Sequence, residues 1–99
     1  QVTVIVDYEF VIWVPNIFSP NGDGNNDVLY VRGKGVQDVL FKVYNRWGEK
    51  VFESTSLDDG WDGTFRGKDV NNAVFVYYLE ATFIDGSEVT KKGDVTLIR

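Results

Sequence analysis

A chain of 99 residues, 43% of them hydrophobic and 15% aromatic, has room for one domain, close to the ~100 residues of a seven-stranded sandwich, and enough apolar surface to offset its chain entropy. It contains no cysteine and no histidine, which excludes disulfides, thiolate and His-based metal sites, and Ser-His-Asp or Cys-His nucleophiles within the chain. Its 15 acidic and 10 basic residues give a formal net charge of −5, and this excludes nucleic acid as an expected partner, because phosphate backbones are bound by clustered Lys and Arg.

The opening stretch QVTVIVDYEFVIWV places Val2, Val4, Val6, Tyr8, Phe10, Ile12 and Val14 at alternate positions, the period of a half-buried strand. It is long for one strand, which predicts a bend or a handover. Residues 1–12 are read as a linker or an N-terminal strand continuing from an upstream region, and 13–99 as the domain proper. No apolar run approaches the ~20 residues of a transmembrane helix, and the first residues lack the basic, apolar and small-residue regions of a signal peptide. For an exported chain, that signal is expected upstream of residue 1.

Pro15 stops the alternation, and IFSPNGDGNND follows with Pro-Asn, Asn-Gly and Asp-Gly turn signals, predicting an ordered loop. Strand-like runs resume at 28–32, 39–45 and 50–53, the last two joined as a hairpin through Asn45-Arg46-Trp47-Gly48-Glu49. A polar, Gly-rich interval from 54 to 72 precedes the most regular strand, in which Phe75, Tyr77, Leu79, Ala81 and Phe83 share one face. Asp85-Gly86 stands where a two-residue primed turn is expected, with a returning strand over 87–98 that points Val95 and Leu97 inward. Apolar residues nowhere recur at a sustained three-to-four spacing, so helix content is expected near zero. Short antiparallel strands separated by turns predict an all-β fold, an immunoglobulin-like antiparallel β-sandwich of about seven strands.

Two constellations carry candidate chemistry. In Asn21-Gly22-Asp23-Gly24-Asn25-Asn26-Asp27, the side-chain oxygens of Asn21, Asp23, Asn25 and Asp27 fall at alternate positions, as a loop curling around calcium requires. The EF-hand pattern fails in detail, since Asn26 takes the place of its turn glycine and Arg32 that of its bidentate glutamate. The other reading is a structural loop, in which Asn and Asp bond their own backbone in successive Asx-turns. The second constellation pairs Asn45-Arg46-Trp47-Gly48 with Gly60-Trp61-Asp62-Gly63. Two Trp residues in Gly-bracketed turns predict rings folded over the sheet ends, with Arg46 stacking on a ring or pairing with Asp62. The functional alternative makes Trp47 or Trp61 a sugar platform or an interface anchor. Carboxylate pairs such as Asp58-Asp59, or Asp62 with Glu53, find no cleft in so small a domain, and the chain is read as no enzyme.

The segments VPNIFSPNGDGNNDVL, FKVYNRWGEKVFES, GWDGT, FVYYLEATFIDG and GDVTLIR, in that order, resemble the type B C-terminal sorting domain of type IX secretion substrates, also called the gliding-motility-associated C-terminal domain. The likeness runs from about Val14 to Arg99. One departure is Asn71-Asn72-Ala73-Val74, where the family usually carries Pro or Gly before its aromatic strand. The resemblance implies a domain covalently part of a larger cargo, recognised in the periplasm by type IX translocon components and a PorP/SprF-like outer-membrane protein. The cargo is delivered to the cell surface or the medium. It also makes Asp94, Val95, Thr96, Leu97, Ile98 and Arg99 the C-terminal signal strand. The competing readings are an immunoglobulin-like adhesion or carbohydrate-binding module, using the tryptophans and neighbouring tyrosines, and a structural spacer.

Overall fold

A computed structural model of the protein describes residues 10–22, 24 and 27–99. Among them are nine strands and no helix: β1 (Val11–Trp13), β2 (Ile17–Phe18), β3 (Arg32–Lys34), β4 (Val36–Tyr44), β5 (Lys50–Ser54), β6 (Thr64–Phe65), β7 (Lys68–Asp69), β8 (Ala73–Phe83) and β9 (Glu88–Leu97). The first half of the opening alternation, residues 1–9, lies outside the described residues.

Side-chain alternation builds the main sheet. Phe75, Leu79, Ala81 and Phe83 of β8 are buried, as are Val39, Phe41 and Val43 of β4 and Val95 and Leu97 of β9, because successive residues of a strand face opposite ways. β8 pairs antiparallel with β4 on one side and with β9 on the other. The complete sheet runs β2-β9-β8-β4-β5. The shorter pairs β1–β3 and β6–β7 lie over its inner face, contributing Ile12 and Phe65 to an apolar core shared with Leu29, Val31 and Trp61. Phe10 stacks on Phe83 with ring centroids 5.5 Å apart. This all-β arrangement is compatible with an immunoglobulin-like β-sandwich.

Three details of the strands depart from the sequence expectation. The described residues hold nine strands, because the second layer is broken into two- and three-residue pieces that a periodicity scan passes over. One pair is parallel: Ile17 and Phe18 of β2 lie beside Thr96 and Leu97 of β9, which is allowed because nearly the whole domain separates the two strands. The run 28–32 is not one strand. Leu29 bridges to Trp61, and the chain then crosses to β3, which pairs with β1.

The β8–β9 connection also differs. Gly86 donates its N–H to the Phe83 carbonyl and Phe83 to that of Ser87, and of the turn residues only Gly86 has positive φ, at 88°. A primed turn of type I′ needs positive φ at both central residues, so this is a type I turn closed by a glycine bulge. The Asp85 carboxyl accepts from the Ser87 amide and hydroxyl, and these bonds hold it below the usual carboxylate range.

Candidate recognition surface

β4 finishes, β8 begins and β9 finishes at the same end of the main sheet, since Tyr44 pairs with Val76 and Ala73 with Leu97. The candidate segments therefore gather there, opposite the Asp85-Gly86 turn.

Trp61 is built into the core. Its ring is 2% exposed and meets Phe75 edge to face at 4.9 Å, with Phe18 at 5.4 Å and Phe52 at 6.5 Å. Burying an indole demands a partner for its N–H, and the Thr64 carbonyl accepts it at 2.8 Å. The backbone of Trp61 exchanges both hydrogen bonds with Leu29, at 2.7 and 2.9 Å. Gly60 permits that approach, because a Cβ there would lie 2.5 Å from Val28 Cγ1 and 2.7 Å from the Tyr30 ring. Asp62 does not pair with Arg46; it accepts from the amide and hydroxyl of Thr64 at 3.1 and 2.6 Å.

Trp47 goes the other way. Its ring is 77% exposed, so the expectation of two rings folded over the sheet ends holds for Trp61 and fails for Trp47. The reason is position: residues 45–49 form the tip of the β4–β5 hairpin, beyond the last paired residues Tyr44 and Lys50. The tip is nonetheless well tied. Asn45 Oδ1 accepts the amides of Trp47 and Glu49 at 3.0 and 2.9 Å, Asn45 Nδ2 donates to Glu49 Oε1 at 3.1 Å, and Gly48 takes φ 79°. Arg46 lies over the Trp47 ring, its guanidinium carbon 4.9 Å from the centroid. Glu49 is held in turn by Arg66 at 3.4 Å.

The segment 94–99 ties several parts of this end together. Val95 and Leu97 are fully buried, while Thr96 and Ile98 donate their amides to the carbonyls of Asn16 and Phe18. The Arg99 guanidinium donates from Nε to the Val70 carbonyl at 2.9 Å, from Nη1 to Pro20 at 3.0 Å and from Nη2 to Gly63 at 2.7 Å. One fixed fork of donors thus clasps three separate segments. Its backbone amide bonds Asn72 Oδ1 at 2.9 Å, which gives the unusual Asn71-Asn72 approach to β8 a structural part.

In the Asn21–Asp27 loop, the Asp27 carboxylate accepts the amides of Asn21, Gly22 and Gly24 at 3.2, 2.9 and 2.8 Å. Asp23 and Asn25 lie outside the described residues. Among the described residues, no three Asp or Glu side chains gather as metal ligands.

Sequence reading missed Tyr44, Tyr78 and Lys92, which share the outer face of the main sheet with Arg46 around a hollow of about 530 Å³. Alternation alone places Tyr44 and Tyr78 outward, but it does not say that the two strands meet in the register that joins them. It also missed the carbonyls that Arg99 collects, for which no local signal exists.

The family model of the CHU_C type IX secretion signal domain matches residues 12–97. No curated protein matches the chain.

Proposed function

The chain belongs to the type IX secretion signal domain family, and from that premise we propose that it works as a folded address, carried by a larger cargo and read by the type IX translocon together with a PorP/SprF-like outer-membrane protein. A type IX secretion signal directs export to the cell surface or the medium, and the family is not a catalytic one. The reading places recognition in the periplasm, before the cargo crosses the outer membrane.

The observation that carries the folded form of the signal is the extent of the family match. It begins in β1 and ends with β9, so it covers the sandwich from first strand to last instead of a linear tag. The signal strand supports the same view. It lies inside the main sheet between β2 and β8, with Leu97 in the core, where an unfolded receptor-read peptide has no reason to be. Family membership does not favour the adhesion or carbohydrate-binding alternative.

The test is export of a reporter bearing an N-terminal signal peptide and this chain at its C-terminus, in hosts with and without a working type IX system. The reporter is expected outside the cell only in the competent host. A folded reporter kept in the periplasm of both hosts, or exported by both, overturns the proposal.

A further inference from the structure

The outer face of the main sheet has two electrically different ends. Near the hairpin tip, one row across the strands reads Lys50, Tyr44, Val76, Asp94 and the next reads Glu53, Lys42, Tyr78, Lys92. Tyr44 and Tyr78 meet edge to face at 5.5 Å, and Lys92 Nζ lies 5.3 Å from the Tyr78 centroid. Arg46 borders both the hollow these residues line and a second one of about 180 Å³ beside Trp47. Neither acid neutralises this end: the Glu53 carboxylate is engaged by Lys50 Nζ at 2.8 Å, which holds it below the usual carboxylate range, and Asp94 is a single carboxylate against Lys42, Arg46 and Lys92. Among the described residues, Lys42, Arg46 and Lys92 form no ion pair. The far end of the same face carries Asp38, Glu80 and Glu88 around a hollow of about 410 Å³.

We propose that the hairpin-tip end of the sheet, where Arg46 joins Tyr78 and Lys92 of the outer face to the exposed Trp47 at its edge, is the surface on which the protein receptor of the secretion machinery docks, and that the receptor presents carboxylates to it. The inference rests on the secretion-signal reading and deepens it. An exposed Trp contributes little to the core, yet its turn is fastened by hydrogen bonds from Asn45, Gly48 and Glu49. A ring carried on a turn whose backbone is already fixed costs less ordering when it is covered, which favours an anchor. Trp, Tyr and Arg are also the side chains enriched at protein-binding hot spots, and the exposed aliphatic residues Val74 and Ile98 widen the apolar part. Charge selects the partner. In a chain of net charge −5, one cationic end repels the basic proteins that the rest of the surface attracts, and attracts acidic ones. Arg46 lies over the indole and makes no ion pair among the described residues, so its N–H groups are left for a carboxylate.

The experiment uses the same reporter fused to the whole chain, with thermal unfolding of each purified variant as the check on folding. Trp47→Ala, and separately Arg46→Glu with Lys92→Glu, are expected to lower type IX-dependent export about tenfold or more, as loss of a hot-spot contact does, with the unfolding midpoint unchanged. Glu80→Lys with Glu88→Lys, at the far end, is expected to leave export intact. Because the variants fold, Trp47→Ala or the double charge reversal exporting at the wild-type rate overturns the inference while leaving the secretion reading standing. Arg46→Glu with Lys92→Glu exporting normally while Trp47→Ala fails overturns the acidic receptor. Sedimentation showing a dimer that the Glu80→Lys, Glu88→Lys chain cannot form assigns the face to a second copy and overturns the receptor. A wild-type fusion that is not exported at all removes the inference together with the reading beneath it.

Discussion

Trp47 and Trp61 each stand just ahead of a glycine with positive φ, Gly48 at 79° and Gly63 at 82°, yet one ring is 77% exposed and the other 2%. Both turns have the local chemistry expected of tight corners. What separates them is what the rest of the chain brings over each. The turn at 60–64 is covered on one side by Leu29 through a backbone bridge and on another by β9 and Arg99, so its indole closes a core. The turn at 45–49 extends past the last paired residues of its hairpin and meets the second layer only through the Glu49–Arg66 pair and an open hollow. Turn chemistry fixes how the backbone reverses, and tertiary contact fixes whether the side chain is fuel for folding or a surface for binding.

The largest effect should come from emptying the buried turn. Trp61→Ala removes the ring that Phe18, Phe52 and Phe75 surround, and large-to-small changes of this kind cost about 3–5 kcal/mol. That is a large part of the ~5–15 kcal/mol typical of a domain. Urea denaturation should show the loss, and a stability within 1 kcal/mol of wild type, taken as roughly the cost of an ordinary substitution, would mean that the Trp61 cluster is not the centre of the core.

Arg99→Met tests the covering of that turn without touching the ring. It keeps an apolar stem and leaves the carbonyls of Pro20, Val70 and Gly63 without their shared donor. Hydrogen bonds to charged groups are worth ~1.5–3 kcal/mol each, but the side chain is 26% exposed and water replaces part of what is lost, so about 2 kcal/mol in all is expected. No measurable loss would make the clasp a surface decoration.

A smaller effect is expected of Gly63→Ala. An alanine would have to hold φ near 82° with its Cβ 3.0 Å from Leu97 Cδ1 and from Pro20 Cγ and 3.1 Å from Arg99 Nη2. The left-handed conformation alone costs an L-residue roughly 1–2 kcal/mol. The same change at Gly48, also left-handed, meets no atom within 4 Å. The difference between the two variants in thermal unfolding therefore measures the crowding of the buried turn apart from its backbone strain.

How far the sequence reached follows the same division. β4 and β8 were legible because each presents a period-2 face long enough to count, and Phe75 to Phe83 left no alternative; β5 and β9 followed as the returning arms of hairpins marked by turn residues. The layer above them was not, since β2, β6 and β7 are two residues each and owe their existence to partners far away in the chain. Both tryptophan turns were found from Gly and Asn signals. Their opposite fates were not, because burial of Trp61 depends on Leu29 and on Phe75, 32 and 14 positions away in the numbering. Arg99 was placed on the signal strand without its clasp, for the same reason.

The smallest effect on stability should be that of Trp47→Ala. A ring this exposed surrenders little apolar contact, and the fastening of its turn belongs to Asn45, whose bonds run to backbone amides and to Glu49 and survive truncation of the indole. Surface substitutions of this kind stay within about 0.5 kcal/mol, and the contact with Arg46 adds at most about 0.5–1 kcal/mol at an exposed site. Denaturant unfolding of Trp47→Ala beside Trp61→Ala, in one buffer, turns the comparison into a number. If the two variants lose similar stability, Trp47 packs in solution against the Phe65, Val70 and Ala73 side chains that line its neighbouring hollow, and its exposure is no argument for a docking role. If Trp47→Ala leaves stability intact, the ring is free of structural duty, and any loss of export it causes belongs to recognition.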